Sequence, residues 1–343
     1  MYASRMAILT PLSEPEGRAL GALFGLDVAS VRGIPAGSVN SNFSLELGHR
    51  EGGRVGNGGG RAFLRVYEEQ GSDGAARELA LLDHLARGGV ATPRPMARVD
   101  GQGFFAAHAG KPVAVFPWVD GEIACQARVT PGRTEALGAA VARVHLAGAG
   151  FEGLHAGRFG ILQLQQRLQR LPEAARSGEL GEAVRLLESR IESSWRAEDA
   201  SGLPVGVVHG DLFRDNVLWQ SREDGAPGER LAALLDFESA SRQPLVLDLA
   251  VTALAWCFGD GLEAPLLEAL GRGYASVRSL GPAEVESLPA VLRFAAVRFA
   301  ITRITDFELR RGAGVYKDYR RFVSRLAALD AAGDASLRGW LGQ

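Results

Sequence analysis

The chain has 343 residues, of which 46% are hydrophobic and 23% are charged, and its formal net charge is −2. A chain of this length and composition is typical of a globular enzyme with room for two lobes. The near-zero net charge argues against nucleic acid and against a membrane surface as partners. No apolar run reaches the roughly 18 residues of a membrane span, and the N-terminus lacks a signal-peptide pattern. We expect a cytoplasmic protein, either a monomer or a homodimer.

The first third of the chain is expected to consist mostly of β-strands. Apolar residues at helical spacing (Leu79, Leu82 and Leu85) predict one helix, over 74–87, which ends at two glycines. Short apolar or alternating runs, which are typical of strands, occupy residues 30–35, 43–47, 61–67, 103–107 and 112–118.

A glycine-rich tract over 52–60 separates two of these predicted strands. Glycine loops that bind phosphate are short and lead directly into a helix, whose N-terminus contributes to the anion site. This tract is long, and no helix start follows it. We therefore interpret it as a flexible hairpin tip and not as a phosphate loop.

The remainder of the chain is predicted to be mainly helical. Helical patterns cover residues 133–147, 161–171, 178–196, 245–257, 262–278, 283–312 and 317–331. Strands followed by helices indicate an α+β fold, here with two lobes. We place the nucleotide-binding lobe at 1–119, ending in a hinge around Phe116 and Trp118, and the helical lobe at 120–343. Ligands favour the cleft between two such lobes, and the helical lobe would hold the catalytic loop and the acceptor pocket.

The sequence VVHGDLFRDNVLW over 207–219 carries the strongest chemical signal. Asp211 and Asn216 lie five residues apart in a polar loop between apolar runs, and Asp236 follows a later apolar run. Phosphoryl transfer uses a carboxylate that meets the acceptor hydroxyl, together with an amide oxygen and a second carboxylate that hold magnesium on the nucleotide phosphates. We predict a kinase in which Asp211 is the catalytic base, while Asn216 and Asp236 bind Mg²⁺.

The same run, with LLDFE at 234–238 and PLVLDLA at 244–250, resembles the aminoglycoside phosphotransferase family of small-molecule kinases. The resemblance implies a protein-kinase-like fold, with a small antiparallel sheet and one helix in the N-terminal lobe and ATP in the cleft beside a larger helical lobe. It also implies that His209 and Asp248 support the catalytic loop. Asp215 would shape that loop and face the acceptor.

Further stretches are similar to bacterial homoserine kinases of this fold, over about residues 7–330. They are AGSVNSNF at 36–43, LLDHLA at 81–86 with TPRP at 92–95, the DLA and WCF of 248–258, the LRFAAVRFA and RITDF of 292–307, and Lys317-Asp318. This similarity implies an ATP- and Mg²⁺-dependent conversion of L-homoserine to O-phospho-L-homoserine, which is a step of threonine biosynthesis.

The nucleotide is expected to contact the first lobe. Glycine and small polar residues in 37–42 let backbone N–H groups approach phosphate oxygens. Arg65 stands on the third predicted strand, where kinases of this fold usually carry a basic residue paired with a helix glutamate, here Glu78. Arginine keeps the charge and can fork onto phosphate oxygens. The predicted nucleotide-binding residues are Gly37, Ser38, Asn40, Ser41, Asn42, Arg65, Glu78, Phe116 and Trp118.

The acceptor pocket is where the sequence departs from homoserine kinases. Arg214 stands where that family tends to have proline, and Glu238 lies in a stretch that is more aromatic in the family. Arg298 and Arg303, five residues apart on a predicted helix, offer charges for a substrate carboxylate. Pairing at the surface or within the helix is the competing interpretation. We predict Arg214, Glu238, Arg298 and Arg303 as substrate residues.

Three other functions stay open. The acceptor of such a kinase is alternatively an aminoglycoside, choline, methylthioribose or another amino alcohol. A protein kinase is disfavoured, because the eleven residues between Asp236 and Asp248 are too few for an activation segment. A catalytically inactive nucleotide-binding module is the alternative from another class, although the predicted catalytic and metal residues are all present.

Overall fold

The computed structural model describes residues 8–35, 39–48, 60–192, 202–221, 227–310 and 316–341. Gly37, Ser38 and nearly all of the glycine-rich tract lie outside the described residues. The chain divides into two compact units. The first contains residues 1–121 and 232–235, and the second contains residues 122–231 and 236–343.

The first unit is built on an antiparallel sheet. Its strands are β1 (Val28–Ile34), β2 (Ser41–Leu47), β3 (Arg61–Val66), β4 (Phe105–His108) and β5 (Lys111–Pro117), and its helices are α1 (Glu14–Leu23) and α2 (Ser72–Arg87). Within the described residues the strands pair in the order β1-β2-β3-β5-β4. The predicted small antiparallel sheet is confirmed.

Alternating burial along β3 gives the sheet both a core face and a polar face. Ala62, Leu64 and Val66 are buried, whereas Arg65 between them is half-buried. Successive side chains of a strand point to opposite faces, so β3 places its aliphatic residues in the core and Arg65 on the other side. On the neighbouring strand β2, Asn42 pairs with Arg65.

Helix α1 was not predicted from the sequence, although its start carries a recognisable signal. The Ser13 hydroxyl accepts a hydrogen bond from the Glu16 amide (3.4 Å), and the Glu16 carboxylate accepts one from the Ser13 amide (2.9 Å). This reciprocal pair is a capping box, and Pro15 in the first turn suits a helix start. With ten residues, α1 is too short for its apolar period to stand out.

The second unit is mainly helical, as predicted. Its helices are α3 (Pro131–Ala147), α4 (Ile161–Gln169), α5 (Gly178–Glu192), α6 (Val246–Trp256), α7 (Ala264–Ala275), α8 (Pro282–Asp306), α9 (Arg320–Ala332) and α10 (Asp334–Leu341). Its strands are β6 (Glu122–Ile123), β7 (Val205–Val208), β8 (Val217–Ser221), β9 (Pro227–Leu234, whose last residues belong to the first unit) and β10 (Ser241–Pro244). Strand β7 pairs with β10, and β8 lies between β6 and β9. None of the described helices combines the length and the apolar character that crossing a bilayer requires.

Near the C-terminus the helices differ from the prediction, and the helix predicted over 317–331 is α9, which begins at Arg320. The helix predicted over 283–312 ends at Asp306, where the backbone of Phe307 leaves helical geometry (φ −126°) and the Asp306 carboxylate pairs with Arg167 (2.6 Å). Helix α10 was not predicted. It has eight residues and buries Leu337, and so short a helix shows little periodicity in sequence.

Helices α3 and α7 touch through glycines. A Cβ on Gly138 of α3 would overlap the backbone of α7 and lie 2.8 Å from the Tyr274 nitrogen. A Cβ on Gly273 of α7 would overlap the backbone of α3. This close approach brings Nδ1 of His145 within 2.8 Å of the Tyr274 hydroxyl, in the buried interior of the unit.

We expect Gly138→Ala to destabilise the second unit by about 2 kcal/mol, because the added methyl group must push two packed helices apart. Thermal melting followed by circular dichroism would show a lower melting temperature. Gly339→Ala is the matched control, since Gly339 also lies in a helix but a Cβ there meets nothing within 4 Å, and alanine favours the helix. A Gly138→Ala protein that melts at or above the wild-type temperature would contradict this packing.

Candidate active site

Strands β7 and β10, which pair antiparallel, hold the loop 209–216 at one end. Gly210, the second residue after β7, has a left-handed backbone (φ +76°), and a Cβ there would lie 3.1 Å from the carbonyl oxygen of Ser239. Glycine adopts this conformation without strain. The chain can therefore turn sharply into the segment that carries Asp211, and a 3₁₀ turn over Arg214–Asn216 then leads into β8.

The buried carboxylate of Asp248 connects this loop to helix α6. It accepts hydrogen bonds from the amides of His209 (2.6 Å) and Gly210 (2.7 Å). Nε2 of His145 lies 3.3 Å from the same carboxylate, with Tyr274 on the other ring nitrogen. Burial by itself would raise the pKa of Asp248, but His145 and the loop hold that pKa below its ordinary value. Asp248 and His209, which were predicted to support the catalytic loop, are thus in contact with each other at its start.

Asp211, the predicted catalytic residue, is surrounded by charge. Burial raises the pKa of its carboxyl above the ordinary value, and Asp236 adds to that rise. The positive charges of Lys317 and Arg298, with a smaller effect of His209, act in the opposite direction. Lys317 was not predicted as part of this site. It comes from a segment distant in sequence, and only the packing of the unit places it near Asp211.

Asn216 and Asp236, the predicted magnesium ligands, offer oxygen atoms of the right chemistry. Nδ2 of Asn216 donates to the carbonyl oxygen of Asp211 (2.9 Å), so its Oδ1 is the atom left for a cation. Asp236 has a left-handed backbone (φ +62°), a conformation that aspartate adopts more readily than most non-glycine residues. Mg²⁺ binds one or two such ligands together with phosphate oxygens and water, so these residues fit the ion. Across the described ranges no group of three or more His, Cys, Asp or Glu side chains is arranged to hold a metal.

A cavity of about 530 Å³ lies beside the loop, within the second unit. Among the predicted site residues, Arg214, Asp215 and Arg303 line it. Arg214 donates to Gln126 Oε1 (2.6 Å) and to the carbonyl oxygen of Ala255 (2.7 Å). The remaining walls are Ile123, Ala124, Phe213, Tyr316, Lys317, Asp318 and Arg321, none of which was predicted from the sequence as a site residue.

Arg298 and Glu238, also predicted as substrate residues, are not among the walls of this cavity. Arg298 is only 4% exposed, and its guanidinium donates to the carbonyl oxygen of Gly210 (3.0 Å) and stacks on Phe159 and Phe299. Burial lowers the pKa of Arg298 to about 10. Its contact is with the backbone of the loop, so it would reach a substrate only through the loop.

In the first unit, the predicted pair of Arg65 and Glu78 is present. Nη1 of Arg65 lies 3.6 Å from Oε1 of Glu78, and the two side chains are 14% and 4% exposed. Phe116 is buried, with its ring 6.2 Å from that of Phe63. Trp118 is half-buried, and its indole N–H donates to Asp120 (3.0 Å). Contact of these residues with a nucleotide stays a prediction.

Asn40 and Ser41 have partners inside the first unit that the sequence did not indicate. The Ser41 hydroxyl accepts hydrogen bonds from the amides of Leu9 and Thr10 (3.0 Å each) and donates to Glu68. Oδ1 of Asn40 accepts from the Glu68 amide (3.1 Å). Both residues therefore stabilise the start of β2. A contact of either with phosphate stays a prediction.

Comparison with known proteins agrees with this geometry. The sequence model of the phosphotransferase enzyme family matches residues 30–280. The homoserine kinase of Methylocella silvestris is 33% identical over 342 residues, which cover 98% of this chain and 100% of that protein. The homoserine kinase of Brucella canis is 33% identical over 334 residues, which cover 94% of each chain.

Among solved structures, the amicoumacin kinase hAmiN, in complex with AMP-PNP, Ca²⁺ and Ami, has a similar fold. The TM-score is 0.63 at 15% identity, over 92% of this chain and 91% of that one. An aminoglycoside phosphotransferase from Alicyclobacillus acidocaldarius matches with a TM-score of 0.59 at 17% identity, over 98% and 97% of the two chains. At these identities the likeness shows the fold alone, and the predicted kinase-like fold is confirmed.

We expect Asp248→Asn to lower the free energy of unfolding by about 3 kcal/mol, because it removes one partner of a buried charged network. The pKa of Asp248 is depressed in the folded state, so its contribution is complete above the pKa of the unfolded chain and is lost as the pH falls through the folded-state pKa. The difference in melting temperature between wild type and variant should therefore shrink on acidification.

Asp306→Asn serves as the control for this substitution. Asp306 is 36% exposed and pairs with Arg167 at 2.6 Å, and such a partly exposed pair contributes less than about 1 kcal/mol. Equal losses for the two variants, or a difference for Asp248→Asn that persists at low pH, would show that the buried carboxylate does not anchor the loop.

Proposed function

The chain belongs to the phosphotransferase enzyme family and is a small-molecule kinase, and we propose that its acceptor is L-homoserine and its donor is ATP. The observation that supports this acceptor is the 33% identity to a homoserine kinase over 98% of the chain and the full length of that protein. The likeness of fold adds nothing about the acceptor, because one fold serves many substrates. The γ-phosphoryl group of ATP would move to the side-chain hydroxyl, giving O-phospho-L-homoserine and ADP.

Asp211 is the proposed base. Its carboxylate would accept the hydroxyl proton as the hydroxyl oxygen attacks the γ-phosphorus. Burial raises the pKa of Asp211, which makes its carboxylate a better proton acceptor. The charges of Lys317 and Arg298 favour the ionised form of Asp211. Its carboxylate is therefore available to accept the proton of the acceptor hydroxyl.

Asn216 and Asp236 are the proposed ligands of Mg²⁺, which when bound supplies positive charge to the nucleotide phosphates. The hydrogen bond from Asn216 to the Asp211 carbonyl oxygen orients the amide. The proposed metal ligand Asn216 and the proposed base Asp211 therefore belong to the same turn of the chain, and this hydrogen bond sets their relative position. The left-handed backbone of Asp236 sets the direction of the second ligand.

We propose that the first unit is the nucleotide-binding lobe, with Arg65 as a phosphate contact. Glu78 pairs with the guanidinium of Arg65, and an arginine guanidinium binds phosphate oxygens through paired hydrogen bonds. The lysine of this unit, Lys111, is the first residue of β5, and it pairs with Glu68 in the loop that follows β3. Of the two arginines of β3, Arg61 pairs with Asp120 (2.9 Å) and Arg65 with Glu78, and this proposal uses Arg65.

Incubation of the protein with ATP, Mg²⁺ and L-homoserine should produce ADP in an acceptor-dependent manner, with O-phospho-L-homoserine identified by mass spectrometry. Asp211→Ala should lower kcat by about 10³-fold, because proton transfer by a positioned carboxylate contributes on that scale. Asp306→Ala, which removes a carboxylate paired with Arg167, is the control and should keep wild-type activity.

A panel of choline, ethanolamine, methylthioribose and an aminoglycoside separates the alternatives. Turnover of one of these without turnover of homoserine would refute the acceptor and keep the kinase. ATP consumption no higher than that of Asp211→Ala with every acceptor would instead favour an inactive nucleotide-binding module.

Arg298→Met should lower kcat by about tenfold and leave the KM for homoserine nearly unchanged, because it removes a charge-assisted hydrogen bond that positions the loop. Arg298→Lys should recover part of the rate. Arg293→Met is the matched control on the same helix, since Arg293 pairs with Asp330 and Asp334 at 2.8 Å. A raised KM with unchanged kcat would instead support the role in substrate binding that the sequence predicted for Arg298.

A further inference from the structure

The cavity beside the loop has an excess of positive charge. Four of its walls are cationic and two are anionic. The cations are Arg214, Arg303, Lys317 and Arg321, and the anions are Asp215 and Asp318. Arg325, one turn further along α9 from Arg321, adds a fifth positive charge that acts on this cluster.

Two arginines of the cavity, Arg214 and Arg303, donate hydrogen bonds to neutral groups. Arg303 donates to the backbone carbonyl oxygen of Asp318 (2.8 Å), and its guanidinium lies over the ring of Phe322 at 4.4 Å. The carboxylate of Asp318 is directed elsewhere, since it accepts from the backbone amide of Arg320 (3.0 Å). In the part of the chain that the structure describes, neither Arg303 nor Arg321 forms an ion pair with a carboxylate.

Burial and mutual repulsion act against the charged forms of these arginines. Burial, followed by the charge of Arg321, lowers the pKa of Arg303 to about 10, although Asp211, Asp318 and Asp215 act in the opposite direction. Burial, followed by the charges of Arg303, Arg214 and Arg321, lowers the pKa of Arg325 to about 9. An anion placed among these groups would relieve the repulsion.

The position of the cavity identifies which part of the acceptor would bring that anion. Phe213, Arg214 and Asp215 follow Asp211 and Leu212 in the loop and form one wall. Asp211 also lies close enough to Arg303 for their charges to interact, so we place the hydroxyl of the acceptor at Asp211 and its other end in the cavity. Planar guanidinium groups bind carboxylates through two parallel hydrogen bonds.

We propose that Arg321 and Arg303 form the subsite for the carboxylate of the acceptor, so that the enzyme selects alcohols that carry a carboxylate. Arg303 was predicted from the sequence among the substrate residues, and Arg321 was not. The inference rests on the proposed function for the position of the hydroxyl at Asp211, but it does not require that the acceptor be homoserine.

The test compares two pairs of acceptors that differ by one carboxylate. They are L-homoserine with 3-aminopropan-1-ol, and L-serine with ethanolamine. The wild type should prefer the carboxylate-bearing member of at least one pair. Arg321→Ala should lower kcat/KM for that member by about tenfold, on the scale of a hydrogen bond to a charged group, and change the decarboxylated member less than twofold. Arg321→Lys should recover part of the loss.

Arg320→Ala is the matched control. Arg320 is the neighbour of Arg321 in α9. It pairs mainly with Glu179 (2.6 Å), has a longer contact with Asp318 (3.4 Å) and does not itself line the cavity. Its substitution should leave both acceptors of each pair unchanged. Melting curves of all variants show whether a loss of kcat/KM reflects unfolding.

The outcomes separate this inference from the proposed function. A wild type that ignores homoserine but prefers L-serine to ethanolamine, with the preference lost in Arg321→Ala, refutes homoserine as acceptor and supports the subsite. Turnover of homoserine with no effect of Arg321→Ala, or with equal losses for both members of a pair, refutes the subsite and keeps the function. A wild type that prefers the decarboxylated members also refutes the subsite, and no turnover of any of the four refutes both.

Discussion

The carboxylate of Asp248 accepts hydrogen bonds from two successive amides of the loop and faces His145 on its other side. A buried carboxylate is costly unless such partners satisfy it, so the loop and the helices around it must assemble together. His145 is held by Tyr274, and these two residues come from α3 and α7, which touch at Gly138. The position of the loop therefore depends on how tightly distant helices pack.

The second unit combines two opposite electrostatic environments a few residues apart. The proposed base and the proposed metal ligand, Asp211 and Asp236, are acidic, and the charge of Asp236 favours protonation of Asp211. The adjacent cavity is basic, and Arg303 and Lys317 belong to it. The charges of Lys317, which lines this cavity, and of Arg298 limit the rise in the pKa of Asp211, so Lys317 contributes to both environments.

Much of the fold was predictable because its signals are local. The strand and helix patterns of the first unit, and most helices of the second, follow from apolar periodicity. Helices α1 and α10 were missed because they span ten and eight residues, although the Ser13–Glu16 capping box marks the start of α1. The helix predicted to continue to 312 ends at Asp306 and is followed by a 3₁₀ turn over Glu308–Arg310, a change that apolar periodicity does not mark.

The sequence by itself determined the family and the type of reaction, because Asp211, Asn216 and Asp236 lie close together along the chain and their spacing reflects one turn and the strands around it. Only the tertiary structure decided which charges surround them. It brought Lys317 near Asp211, buried Arg298 against the loop backbone and placed Arg321 in the wall of the cavity. The physical reason is that burial and electrostatic interaction depend on distance in space, and these residues are distant in sequence from the loop on which they act.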